Sequence, residues 1–127
     1  MSQNKRQIGG DHYKTSFEHW DLVEESGMGY LEGNASKYVA RWRKKNGKQD
    51  LEKALHYVEK LVELYDSIGR RNRCMFLLPQ SKIADFVRIN GLGMEELVVL
   101  MYLCNWHTKE DLILCAGEIK RMINGRD

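Results

Sequence analysis

Gly33-Asn34-Ala35-Ser36-Lys37-Tyr38-Val39-Ala40-Arg41-Trp42-Arg43-Lys44-Lys45-Asn46-Gly47-Lys48-Gln49-Asp50-Leu51 decides how the chain reads. From Lys37 to Lys48 it holds six basic residues and no acid. Asn34, Lys37, Arg41 and Lys44 or Lys45 recur at three- and four-residue steps, so they share one face of a helix. Ala35, Tyr38, Val39 and Trp42 form a more apolar face beside it. Asn46-Gly47 tolerates positive φ and stops that helix, and Asp50 is placed to N-cap the next. The stretch therefore predicts a helical hairpin with a cationic stripe and a cationic elbow, a surface suited to phosphate. The same run also reads as a solvated helix face, although six basics without an interleaved acid repel one another there.

Working outward, the spacing predicts an all-α bundle of about six helices. Ser16 caps a helix from Phe17 to about Ser26, ended by Gly27-Met28-Gly29. The stripe helix runs from about Tyr30 to Lys45. The next runs from Leu51 to about Ser67, with Leu51, Ala54, Leu55, Val58, Leu61, Val62 and Tyr65 as its buried stripe. After Pro79, Ser81 caps a helix to about Asn90, and Gly91-Leu92-Gly93 breaks it. Met94 to about Trp106 is almost wholly apolar. Thr108-Lys109-Glu110-Asp111 opens the last helix with an approximate capping box and carries it to Asn124-Gly125. Two regions follow: residues 9–67 with the basic hairpin, and 80–125 packing on it.

The second region resembles the first. At an offset of 64, Asp21–Lys45 and Asp85–Lys109 share 8 identities in 25 positions, among them Gly27/Gly91, Gly29/Gly93, Glu32/Glu96, Tyr38/Tyr102 and Trp42/Trp106. A three-residue deletion then brings Asp50-Leu51 onto Asp111-Leu112. The pattern predicts two degenerate three-helix repeats; chance similarity between amphipathic helix pairs is the competing explanation. In the second copy Lys37, Arg41 and Arg43 become Met101, Asn105 and His107. That copy loses the cationic stripe and gains apolar surface. A helix apolar all round must be covered on all sides, so Met94–Trp106 predicts a homo-oligomer.

Composition sets outer limits. The chain has 127 residues, 43% hydrophobic, and a net charge of +2, so basic character is local rather than global. No apolar run approaches the ~20 residues of a bilayer span, and the first residues lack an apolar signal core, so a cytoplasmic protein without membrane contact is expected. Cys74, Cys104 and Cys115 are widely spaced without CxxC, which predicts free thiols and no metal site. No GxxxxGK[ST] occurs, so a P-loop kinase is excluded. Gly9-Gly10 before His12-Tyr13 suggests a loop whose backbone approaches a ligand; an ordinary polar arm is the other reading.

Gly9-Gly10-x-His12-Tyr13, Gly33-Asn34-x-x-Lys37-Tyr38-x-x-Arg41 and Lys45-Asn46-Gly47-x-x-Asp50-Leu51-x-Lys53-Ala54-x-x-Tyr57 together resemble a small phage domain family. It includes the nucleotide kinase of T7-like phages, which lacks a Walker motif and phosphorylates deoxynucleoside monophosphates. The resemblance spans about residues 9–66. It implies a phage protein in the cytoplasm of an infected bacterium, with a nucleotide ligand and ATP with Mg²⁺ as phosphate donor. Gly10, His12, Tyr13, Asn34, Lys37, Tyr38, Arg41, Lys45 and Asp50 would bind substrate, with His12 and Arg41 catalytic. Three alternatives remain. One is a phage binder that sequesters a host signalling nucleotide without turnover. Another is a metal-dependent pyrophosphatase using Glu59, Glu63 and Asp66. The third is nucleic-acid binding through the elbow with Arg70, Arg71 and Arg73.

Overall fold

The computed structural model describes residues 16–68 and 78–125. The expectations placed on Gly10, His12, Tyr13, Arg70, Arg71, Arg73 and Cys74 lie outside the described residues. Six helices form, and among the described residues there is no strand: α1 (His19–Ser26), α2 (Tyr30–Arg41), α3 (Lys48–Ile68), α4 (Gln80–Ile89), α5 (Met94–Asn105) and α6 (Lys109–Asn124). The all-α bundle expected from periodicity is the fold observed.

The boundaries move where caps differ from those expected. α1 begins two residues late because Asp21, not Ser16, closes its first turn: the Glu18 backbone N–H donates to Asp21 Oδ2 at 3.0 Å. Phe17 stays outside the helix and is buried edge-on against Phe86. α2 ends at Arg41 rather than Lys45. Residues 42–47 form a tight turn, with Gly47 at φ 59° donating its N–H to the Trp42 carbonyl at 2.9 Å. That left-handed residue lets α3 start immediately at Lys48, so Asp50 is its third residue and not its N-cap. α4 starts after Pro79, without a Ser81 cap. At α6 the capping box forms: Thr108 Oγ1 accepts the Asp111 N–H and Asp111 Oδ2 accepts the Thr108 N–H, both at 3.2 Å.

The two halves repeat in three dimensions. α2 and α5 begin and end 64 residues apart, and α3 and α6 begin 61 apart, as the three-residue deletion requires. Gly27 and Gly91 close the preceding helices at φ 68° and 69°. α2 packs on α3 and α5 on α6, and like helices face each other, α2 to α5 and α3 to α6. Together with reciprocal tryptophan–glutamate contacts, this relates the halves as a local two-fold would. Equivalent positions are buried: Leu22 and Phe86, Ala35 and Val99, Val39 and Leu103, and Val58 and Ile119 share the main core. Leu51 also lies in that core, whereas its counterpart Leu112 lies in a smaller cluster with Leu61 and Trp106. Burying each large side chain contributes about 1.5–3 kcal/mol.

The repeats also exchange their polar groups. Trp42 Nε1 donates to Glu96 Oε2 at 2.7 Å, and Trp106 Nε1 donates to Glu32 Oε2 at 2.8 Å. Each indole thus serves the carboxylate of the opposite half. Both glutamates are buried, at 0 and 1% exposure, where a carboxylate survives only with strong donors. A reciprocal contact of this kind fits two repeats that face each other.

α5 finds cover within the chain on the face of Val99, Leu100, Leu103 and Cys104, which are buried, while Leu97, Val98, Met101 and Tyr102 are half-buried. Only Met94 and Glu95 are exposed on this helix. α1, α2, α4 and α6 surround it. The expectation of a homo-oligomer rested on α5 needing cover on all sides, and its most apolar face takes that cover from its own chain. Cys104 and Cys115 are free and buried, and burial pushes the Cys115 thiol above its ordinary range.

Candidate anion site on the α2–α3 hairpin

The elbow between α2 and α3 is held by a buried acid. Asp50 is fully buried and accepts the Asn46 backbone N–H at 3.2 Å. It also accepts Arg41 Nε and Nη2 at 3.3 and 3.4 Å. Burial alone would raise its carboxyl, but the Arg41 and Asn46 hydrogen bonds outweigh burial and hold it below the ordinary aspartate value. The Arg41 side chain remains about one-third exposed. One guanidinium thus fixes the elbow and still presents an edge to solvent.

Tyr38 is the centre of the charge. Lys37 Nζ lies 4.6 Å, Arg41 Cζ 4.8 Å and Lys53 Nζ 5.4 Å from the centroid of its ring. An aromatic face attracts each cation, yet three cations around one ring repel one another. Asp50 offsets Arg41. Among the described residues no carboxylate lies within ion-pair distance of Lys37, Lys53, Lys44 or Lys45. Such a cluster is relieved by an anion that takes several donors from a small arc.

A hollow adjoins these cations. It encloses about 440 Å³ and is lined by Tyr38, Gln49, Glu52, Lys53, His56 and Tyr57. The Tyr38 and Tyr57 rings lie nearly parallel, 6.1 Å apart at 17°, and His56 meets Tyr57 edge-on. The hollow therefore combines aromatic surface from Tyr38 and Tyr57 with the Gln49 amide, the His56 imidazole, the Lys53 ammonium and the Glu52 carboxylate. Its volume falls in the ~300–1,000 Å³ range of small-molecule sites.

The residues expected at a site divide by position. Lys37, Tyr38 and Arg41 come together on α2, joined by Asp50 from α3. Asn34 lies a turn earlier and donates Nδ2 to the Tyr30 carbonyl at 2.9 Å. Lys44 and Lys45 stand exposed on the elbow. Arg43 points elsewhere, across the local two-fold to Glu95 and Glu96, with its guanidinium 4.9 Å over Trp42. The Glu96 hydrogen bond holds Arg43 above its ordinary range. Burial would raise Glu96, but Arg43, the Gly93 N–H and Trp42 bring it below the usual glutamate value. Gln49, Glu52 and His56 were not singled out for the site. Their three- and four-residue spacing with Lys53 and Tyr57 was the available signal, since it turns one face of α3 toward α2.

His19 on α1 completes the surroundings of α2. Its Nε2 lies 2.6 Å from Ser36 Oγ. Burial first, then the Lys37 charge, lower its pKa to about 4, so it is neutral at pH 7. Among the described residues no group of three or more His, Cys, Asp or Glu side chains is arranged for a metal ion, Glu59, Glu63 and Asp66 included. Glu63 pairs with Lys60, and Asp66 with Lys109. No described helix is long and apolar enough to cross a membrane.

Residues 9–59 match a family described as protein of unknown function, DUF3310. That segment contains α1, α2 and the first half of α3, and so most of the cationic cluster. No curated protein and no solved structure matches the chain.

Proposed function

We propose that the α2–α3 hairpin binds a nucleotide by its phosphates and that the protein transfers a phosphoryl group to a deoxynucleoside monophosphate. The observation that carries this reading is the convergence of Lys37, Arg41 and Lys53 on Tyr38 beside an aromatic-walled hollow. The lysines neutralise phosphate, and the exposed edge of Arg41 offers further N–H donors. The base lies in the hollow against Tyr57, with Gln49 and His56 offering hydrogen bonds. Phosphoryl transfer asks chiefly for positioning and charge neutralisation, which such a surface supplies without a covalent intermediate. When ATP is the donor, Mg²⁺ bound to its phosphates would supply further charge neutralisation beside Lys37, Arg41 and Lys53. The kinase activity and the phage setting come from the resemblance in sequence, which also assigns substrate contacts to Gly10, His12 and Tyr13.

The test is to incubate the protein with ATP, Mg²⁺ and each deoxynucleoside monophosphate and look for the diphosphate. Diphosphate formed by the protein but lost in a Lys37→Gln/Lys53→Gln double variant is the expected result. A nucleotide that binds at the hairpin and is recovered unchanged after heat release would replace transfer with sequestration of a signalling nucleotide. No binding of any nucleotide would reject the reading.

A further inference from the structure

A second pocket lies at the two-fold equivalent of the cationic stripe. It encloses about 340 Å³ and is lined by Val98, Met101, Tyr102, Asn105, Trp106 and Asp111. Their counterparts in the first half are Asn34, Lys37, Tyr38, Arg41, Trp42 and Asp50. In that half a guanidinium fills the corresponding place: Arg41 lies 4.8 Å over the Tyr38 ring and bonds Asp50 at 3.3 and 3.4 Å. The second half keeps both receptors, the ring as Tyr102 and the acid as Asp111, but has Asn105 in place of the arginine. Asn105 is committed elsewhere. It accepts the Leu78 N–H at 2.9 Å and donates to the Leu78 carbonyl at 3.0 Å. Lys109 pairs with Asp66 on α3.

Asp111 repeats the placement of Asp50. Each is the third residue of its helix. Asp50 Oδ2 accepts the Asn46 N–H at 3.2 Å, and Asp111 Oδ2 accepts the His107 N–H at 2.8 Å, from the residue four positions earlier in both cases. Arg41 donates to both Asp50 oxygens, Nε to Oδ2 and Nη2 to Oδ1. Asp111 has no described cation on either oxygen. Met101 stands where Lys37 adds a competing positive charge, so the second pocket carries acid and aromatic surface without its own cation.

We infer that the pocket between α5 and α6 receives a guanidinium group from outside this half, stacked on Tyr102 and paired with Asp111 as Arg41 is with Tyr38 and Asp50. The ligand class is an arginine side chain or an arginine-like small molecule. Planar stacking and a forked pairing with a carboxylate favour guanidinium over ammonium. The site lies in the half that does not carry the proposed nucleotide site, and the inference stands or falls independently of that reading.

The test is a titration of the full ¹⁵N-labelled chain with N-acetyl-arginine amide, read by amide and indole shifts. Saturable shifts confined to Tyr102, Trp106 and Asp111 are expected. The neutral citrulline analogue and an Asp111→Asn variant should each bind about tenfold more weakly. Asn keeps an acceptor for the His107 and Thr108 N–H groups, so the cap is preserved. If Asp111→Asn fails to fold, Met101→Lys, which restores the cation found at Lys37, should weaken binding in its place. Tighter binding of Gly-Gly-Arg-Gly-Gly than of free arginine would assign the site to a protein side chain, and the reverse to a small molecule. Equal binding of the citrulline analogue, or shifts elsewhere only, would overturn the inference.

Discussion

Trp42 Nε1 donates to Glu96 Oε2 at 2.7 Å across the local two-fold, onto a carboxylate that solvent does not reach. Trp42→Phe keeps an aromatic ring in the core but removes the donor along with the smaller ring of the indole. Glu96 retains Arg43 and the Gly93 N–H, so the cost should be about 1–3 kcal/mol, the range for a buried polar group losing one partner. Trp106→Phe removes the Glu32 donor in the same way and should also lower stability. Urea unfolding checks both, and an unchanged midpoint would show that these bonds do not hold the halves together.

Arg41→Ala should lower stability as well as anion affinity. Helical spacing alone places Arg41 on the cationic stripe, a face turned to a ligand rather than to the core, where its loss would cost little stability. Its bonds to the buried Asp50 change that expectation. Because the guanidinium is partly exposed and solvent takes its place in part, the cost should be about 1–2 kcal/mol rather than that of a sealed pair. The double variant Arg41→Ala/Asp50→Asn should recover part of the stability without recovering affinity, as thermal melts and a phosphate titration would show.

Acid should weaken the fold in two windows. His19 titrates near 6.5 when unfolded and about 4 when folded, so the unfolded chain binds more protons between these values. Stability therefore falls as pH drops from 6.5 to 4, by no more than about 3 kcal/mol. Asp50 and Glu96 lie below their ordinary values and withdraw their contributions at lower pH still. His19→Gln should flatten the first window and leave the second. A slope between pH 4 and 6.5 that survives in His19→Gln would reject this assignment.

Much of the fold was legible because periodicity reports burial. The α3 stripe of Leu51, Ala54, Val58 and Leu61 is buried as its spacing requires. The 64-residue offset marked Trp42 with Trp106 and Glu32 with Glu96, but not that each tryptophan reaches the other half's glutamate. Pairing across a two-fold leaves no local spacing signature. For the same reason the apolar α5 read as an intersubunit element, although its cover comes from α1, α2, α4 and α6 of its own chain. At the candidate site the α2 cations were legible as charge at helical spacing. Lys53, His56 and Tyr57 join them only once the Gly47 turn folds α3 back along α2.

Leu100 is fully buried on α5. Leu100→Ala should destabilise the chain by about 2–5 kcal/mol. Leu100→Lys should unfold it rather than merely dissociate an assembly. Circular dichroism with sedimentation separates the two outcomes: a folded, helical monomer from Leu100→Lys would return α5 to a subunit interface.

The most direct test of the nucleotide site is a titration of the ¹⁵N-labelled protein with a deoxynucleoside monophosphate at low salt. Saturable shifts should concentrate at Lys37, Tyr38, Lys53, His56 and Tyr57. The Lys37→Gln/Lys53→Gln variant, still folded, should lose about tenfold or more in affinity. Unchanged affinity in that variant, or shifts that avoid the α2–α3 hairpin, would contradict the site.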